Sequence, residues 1–388
     1  MNRKLGNDQR RARLVTRHHL AAPADGPEQV AESLVVLHAT DPATVHLSVL
    51  ARSAASTADV ERALYDERTL VRMLGMRRTM FVVPRALVPV VQAACADDIA
   101  TRERKHLIKH LATAGLDTDL DAWLAEVEEG AHAALRAREP AYAQQVADGE
   151  PRLRTEIVLA AGKSYESRTY ITNRVLFLLA ASGRIVRGRP RGTWVSTQYA
   201  WSTTETWLPV LEPVDAETAR VELARRWLRA FGPAPVADLK WWTGWTAGQV
   251  KKALAAIGPV DVDLDDGPGV ALPGRDEPVD HPEPVAALLP ALDPTPMGWQ
   301  ERGWFLGEHR AQLFDRTGNI GPTVWWDGRI VGGWAQRPDG EIAIRLLEDI
   351  GADGTAAVDA AAERLHGRLG GVAVIPKFRT PVERDLSS

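Results

Sequence analysis

The chain has 388 residues, 45% of them apolar, with one cysteine and a net charge of −4 at pH 7. The lone Cys95 excludes an internal disulfide and any zinc set built from thiolates, which suits a reducing compartment. No apolar run approaches the roughly 20 residues that span a bilayer, and the basic start MNRKLGNDQRRARLVTRHHL has no apolar core of a signal peptide after it.

The expectation is a soluble cytoplasmic protein of about two to four domains. The modest net charge hides local asymmetry. Arg152 to Arg191 hold nine Lys/Arg against two Glu, whereas VDVDLDD (Val260 to Asp266) is acidic.

In chain order, helices are predicted around Arg10–Leu20, Gln29–Leu37 and Pro42–Arg52. They precede VRMLGMRRTMFVVP (Val71–Pro84), whose second half alternates like a strand. Residues 87–146 read as mostly helical. A helical stretch at Glu156–Ala161 and a second within Arg168–Ala181, with Ile171, Val175, Leu178 and Leu179 at helical spacing, come next. SGRIVRGRPRGTWVSTQYAW then reads as strand, basic turn, strand. Two helices and a hairpin make a winged helix-turn-helix. The pattern recurs from Ala216 to Leu272, where Thr246 is a natural N-cap, Gly258 a natural helix stop, and VDVDL–DDGPG–VALP a hairpin. Beyond His281-Pro282, Asp327-Gly328 and Asp339-Gly340 signal hairpins in a β-rich region, followed by a helix (Thr355–Leu369) and a strand-like VAVIP.

The fold expectation is α+β. It comprises a first winged helix (residues 1–86), a helical connector (87–147), a second winged helix with a basic wing (148–212), a third (213–280), and a C-terminal β-barrel-like domain (281–388).

Several short motifs fail on inspection. AAGKS (Ala160–Ser164) has Ile157 where a phosphate loop needs its leading glycine, and DVDLDDG lacks the glycine and glutamate positions of a calcium loop. The histidines show no metal-ligand spacing, so neither metal nor cofactor is expected. WWTGW (Trp241–Trp245) could stack bases, with core packing of a short helix as the plainer reading.

HATDPA (His38 to Ala43) draws attention because three polar groups fall at an apparent break between helices. Asp41-Pro42 is an ordinary N-cap and N1 pair, and His38 would close the preceding helix as an imidazolium on its dipole.

LHATDP, LGMRRTMFVVP, RIVRGRPRGTW (Arg184–Trp194), WWTG, LLPALDP (Leu288–Pro294) and GNIGPTVWWDGRIVGGW (Gly318–Trp334) together resemble the AlkZ-like family of winged-helix DNA glycosylases, which includes the YcaQ type. The resemblance follows nearly the whole chain in order. It implies three tandem winged helices with a C-terminal β-barrel. The implied reaction is hydrolysis of the bond between deoxyribose and an alkylated or bulky-adducted purine in duplex DNA. It also implies a Gln-x-Gln or Gln-x-Asp motif at positions that here hold His38 and Thr40.

On that implication His38 or Asp41 activates water and Thr40 orients it, since a threonine hydroxyl is too weak a base to act alone. Arg184, Arg187, Arg189 and Arg191 on the basic wing are the expected DNA contacts, with Arg77 and Arg78 beside the first. The expected partner is duplex DNA with a damaged purine, bound by a monomer without a protein partner, in repair or self-resistance. The alternative class is a non-catalytic winged-helix DNA-binding protein or regulator.

Overall fold

The computed structural model describes residues 2–387 apart from 117, 160, 161, 165 and 377. Within them the chain is a mixed α+β fold, its strands divided among five small sheets. In the first, Leu70–Gly75 pairs antiparallel with Thr79–Pro84 along its full length. The turn between them carries Arg77 at φ 54 and Arg78 at φ 63, left-handed positions that non-glycine residues seldom occupy.

Leu37–His38 adds a third strand to this sheet, with Leu37 opposite Val82 and His38 opposite Phe81. This corrects the helix expected through Leu37. That helix spans only Pro27–Ser33, and Val35 at φ 67 turns the chain out of it. The LVVLH run ends in Leu37–His38, which gains a sheet partner distant in sequence. The next helix, Pro42–Leu50, forms as expected. Asp41 accepts the Ala43 N–H at 3.0 Å, Pro42 takes the first turn, and all nine residues are buried.

Two further hairpins stand where the pattern places them. Ile185–Pro190 pairs with Tyr199–Thr203 after the helix Thr172–Ala181, and Val260–Leu264 pairs with Gly267–Ala271 after Ala247–Ile257. Thr246 caps that last helix in a full capping box, and Gly258 ends it at φ 64. The helix expected over 156–161 is instead the strand Glu156–Leu159, paired with Ser167–Tyr170. Adjacent Ile157 and Val158 favour the extended backbone; residues 160 and 161, including the start of AAGKS, lie outside the described residues.

Beyond residue 280, Ala286–Leu289, Thr323–Trp326, Arg329–Gln336 and Ile342–Leu346 form an antiparallel sheet in chain order. Asp327 at φ 47 and Gly328 at φ 76 supply the left-handed pair that a tight hairpin uses. Among the described residues the sheet stays open, and the expected barrel does not close. Helices Gly351–Leu369 and Pro381–Leu386 pack on its strands instead, and residues 372–376 have irregular backbone where a closing strand was expected. Among the described residues no helix is long and apolar enough to cross a membrane.

One apolar core joins the first hairpin, the Ala216–Phe231 helix and the C-terminal sheet, with Val91, Trp227, Phe231, Trp299, Phe305 and Trp325 in it. A buried ion pair fixes the same junction. Arg52, at the end of the Pro42–Leu50 helix, donates to both carboxylate oxygens of Asp293 at 2.9 and 2.7 Å, and neither side chain has solvent exposure. The Ser48 hydroxyl and the Thr295 N–H complete the donors to Asp293, and Thr295 Oγ1 in turn meets His18 Nδ1 at 2.9 Å. Removing one member leaves the other charge buried and uncompensated. Asp293→Ala is therefore expected to lower unfolding free energy by about 3–5 kcal/mol, read from urea denaturation midpoints. A loss below about 1 kcal/mol would contradict this role for the pair.

Candidate active site

The Leu37–His38 strand, the first hairpin turn, the Val236–Thr243 helix and two segments of the C-terminal region enclose a cavity of about 100 Å³. Its apolar walls include Leu34, Val36, Met76, Phe81, Trp242 and Met297. Its polar groups are His38, Arg77, Thr79 and Asn319. Five stretches that stand out in the sequence thus meet here, because HATDP, LGMRRTMFVVP, WWTG, LLPALDP (through Pro294) and GNIGP each contribute a wall.

His38 is buried, and the Phe81 ring meets its imidazole edge-on at 5.5 Å. Burial, with a smaller push from the Arg77 charge and against the opposing pull of Asp293, lowers its pKa to about 4. The imidazole is therefore neutral at pH 7, and the imidazolium on a helix dipole expected from the sequence is corrected on both counts: His38 is in a strand and uncharged. The Thr40 N–H lies 3.5 Å from His38 Nδ1, too long to fix the tautomer, so either ring nitrogen can be the acceptor of the neutral imidazole. Thr40 is exposed beside the cavity, whereas Asp41 is engaged as the cap of the next helix. The structure thus groups His38 with Arg77 around the cavity, while Asp41 caps the Pro42–Leu50 helix.

Arg77 owes its place to WWTG. Its guanidinium lies 4.2 Å over the Trp241 ring, which Arg302 shares at 5.0 Å. Gly244 ends the helix at φ 72, and a Cβ there would come within 2.9 Å of Arg77 Cγ. Trp242 walls the cavity, while Trp245 donates to the Ala94 carbonyl at 3.0 Å in the core. The cluster therefore serves both packing and the site.

The six expected DNA-contacting arginines divide evenly. Arg78 pairs with Glu103 at 2.8 Å, Arg184 holds both oxygens of Glu129 at 2.7 and 2.8 Å, and Arg189 meets Asp66 at 3.0 Å and Glu61 at 3.5 Å. Arg77, Arg187 and Arg191 have no carboxylate partner among the described residues. Arg191 is exposed on the turn, where its backbone N–H donates to Gln198 at 2.7 Å.

Sequence pattern alone did not single out Met76, Phe81, Trp242 and Asn319 as walls, although all four lie in segments quoted above. Among the described residues no three His, Cys, Asp or Glu side chains converge as a metal would require.

A family model described as DNA glycosylase AlkZ-like matches residues 31–367. Among solved structures the chain is similar to Streptomyces sahachiroi DNA glycosylase AlkZ, with a TM-score of 0.74 and 19% identity, over 96% of this chain and 99% of that one. At that identity the likeness is one of fold. No curated protein matches the chain.

Proposed function

This chain belongs to the AlkZ-like family of DNA glycosylases, and from that premise we propose that it is a monofunctional enzyme releasing alkylated or bulky-adducted purines from duplex DNA. The observation that carries this reading is the buried, neutral His38 in a cavity rimmed by Arg77. A purine alkylated at N3 or N7 already bears positive charge and leaves with little acid assistance. The enzyme must then stabilise an oxocarbenium-like sugar and present a water to its opposite face.

In this mechanism the cationic sugar forms at the cavity mouth, and His38 accepts a proton from the attacking water. The base is weak, yet a pKa near 4 matches that of the carboxylates that do this work elsewhere. The Thr40 hydroxyl orients the water, and Asp41 holds the loop by capping the Pro42–Leu50 helix. Among the described residues no lysine lines the cavity, so hydrolysis without a Schiff-base step is the consistent route. A cavity of about 100 Å³ is well below the roughly 300 Å³ at which ligand pockets usually begin, so a bulky adduct stays outside while the sugar edge and a water meet His38.

The three hairpins that follow helices serve as wings of three winged helices in this reading. Arg77, Arg187 and Arg191 reach phosphates directly, and Arg78, Arg184 and Arg189 exchange a carboxylate for a phosphate. The working unit is a cytoplasmic monomer acting in repair or self-resistance.

Incubation with duplex DNA containing N7-methylguanine tests the proposal through released base and abasic sites. Release in step with abasic sites is the expected result. Tight binding without release from this or a bulky N7 adduct would favour the non-catalytic DNA-binding class instead.

A further inference from the structure

Beside the His38–Thr40 loop, where the first and second hairpins meet, one guanidinium from each shares an aromatic ring. Arg72 lies 4.8 Å over Tyr199 and is almost wholly buried. Arg187 packs between the rings of Tyr199, at 5.4 Å, and Trp201, at 5.1 Å. Neither forms an ion pair among the described residues. Arg72 donates once, to the Ala39 carbonyl at 3.2 Å, and the terminal nitrogens of Arg187 make no hydrogen bond among them. The Nε atoms of both arginines and the hydroxyls of Tyr65 and Tyr199 are buried without a partner. Asp41, whose charge reaches Tyr199, caps the neighbouring helix.

This arrangement is unlike the other buried arginine of the junction. Arg52 is met by both oxygens of Asp293, and Arg189, two residues beyond Arg187, is met by Asp66 and Glu61. Two like charges around one phenol ring repel each other, and a guanidinium cannot escape by losing its proton. Orphaned buried donors are rare and call for an explanation. The aromatic faces hold the Arg187 plane and leave its edge to donate, which is the geometry that receives a phosphate.

Resting on the DNA-glycosylase reading above, we propose that Arg187, backed by Arg72, binds one backbone phosphate of the DNA beside the Thr40 loop. Through its bond to the Ala39 carbonyl, Arg72 ties that phosphate to the residue between His38 and Thr40. Docking of the second wing is thereby registered at the loop that carries the chemistry.

The test measures the affinity of the full chain for undamaged duplex DNA across a salt series. Arg187→Met, which keeps the packing on Tyr199 and Trp201, is expected to reduce the slope of log K against log salt by about 0.9. Arg187→Lys retains the wild-type slope, and Arg72→Met weakens binding at low salt more than at high salt. Should the Met variant fail to fold, Arg187→Gln removes the same charge with the same expected slope. An unchanged slope in a folded, charge-removed variant overturns the proposal. Base release from an N7-methylguanine duplex, run in parallel, separates the two readings. Release with an unchanged slope removes the phosphate site and leaves the glycosylase, whereas a reduced slope without release supports the site and rejects the catalytic reading.

Discussion

Replacing His38 with alanine is expected to slow base release by about 10²–10⁴-fold, the usual range for loss of a positioned general base. Affinity for undamaged duplex should change little, because the wings and their arginines do not depend on this side chain. Single-turnover kinetics with excess protein isolate the chemical step and decide the matter. The pH profile supplies a second readout.

The neutral imidazole is the active form, and its pKa in the free protein is about 4. The rate should therefore be flat near pH 7 and fall tenfold per unit once pH drops below that value. A phosphate bound at Arg77 offsets the one charge that depresses it, so in the complex the break moves upward from 4 toward the ordinary 6.5. His38→Gln can orient water without accepting its proton, and its slower rate should show no such break. A wild-type rate unaffected by His38→Ala would remove this residue from the mechanism.

The site was legible in the sequence as a place more than as a set of contacts. HATDPA was identifiable because a cap, a proline and a histidine crowd into six residues, and the Asp41–Pro42 helix start stands as read. The strand before it was not. Its partner, Phe81–Val82, lies on a hairpin far along the chain, and local periodicity carries no trace of that pairing. Neither residue of the Leu37–His38 strand is β-branched, whereas adjacent Ile157-Val158 was an available signal for the other strand read as helix.

Charge shows the same limit. Four arginines within eight residues read as an open cationic wing, yet Arg184 and Arg189 are met by Glu129, Glu61 and Asp66 from other elements. The buried Arg52–Asp293 pair was invisible for the same reason, although LLPALDP marked one of its ends. Elements set by their own residues were readable, such as the Thr246 capping box and the Asp327-Gly328 turn. Contacts made across the fold were not.

Acidification should destabilise the protein well above the range in which its carboxylates titrate. Burial lowers the pKa of His18 and His46 to about 3 and of His38 to about 4, against an ordinary 6.5 in the unfolded chain. The unfolded state thus binds up to three more protons than the native state between those limits. The stability due to these groups is complete above pH 6.5 and lost as pH falls, by about 1.4 kcal/mol per unit for each histidine. By pH 5 the three together remove about 6 kcal/mol, comparable with the 5–15 kcal/mol total of an ordinary domain.

Glu383 works in the opposite direction. Burial raises its carboxyl to about 7, and its protonation on acidification returns about 2–3 kcal/mol by pH 5. The net expectation is a loss of about 3–4 kcal/mol between pH 7.5 and 5, seen as a falling urea midpoint. His46→Phe is the sharpest control, because His46 packs against Trp194 with ring centroids 4.8 Å apart and its Nε2 is buried without a partner. An aromatic replacement keeps the ring contact and removes the proton site, so it should flatten the pH dependence by about 1.4 kcal/mol per unit below pH 6. A variant whose pH dependence coincides with that of the wild type would show that burial of His46 does not drive the acid response.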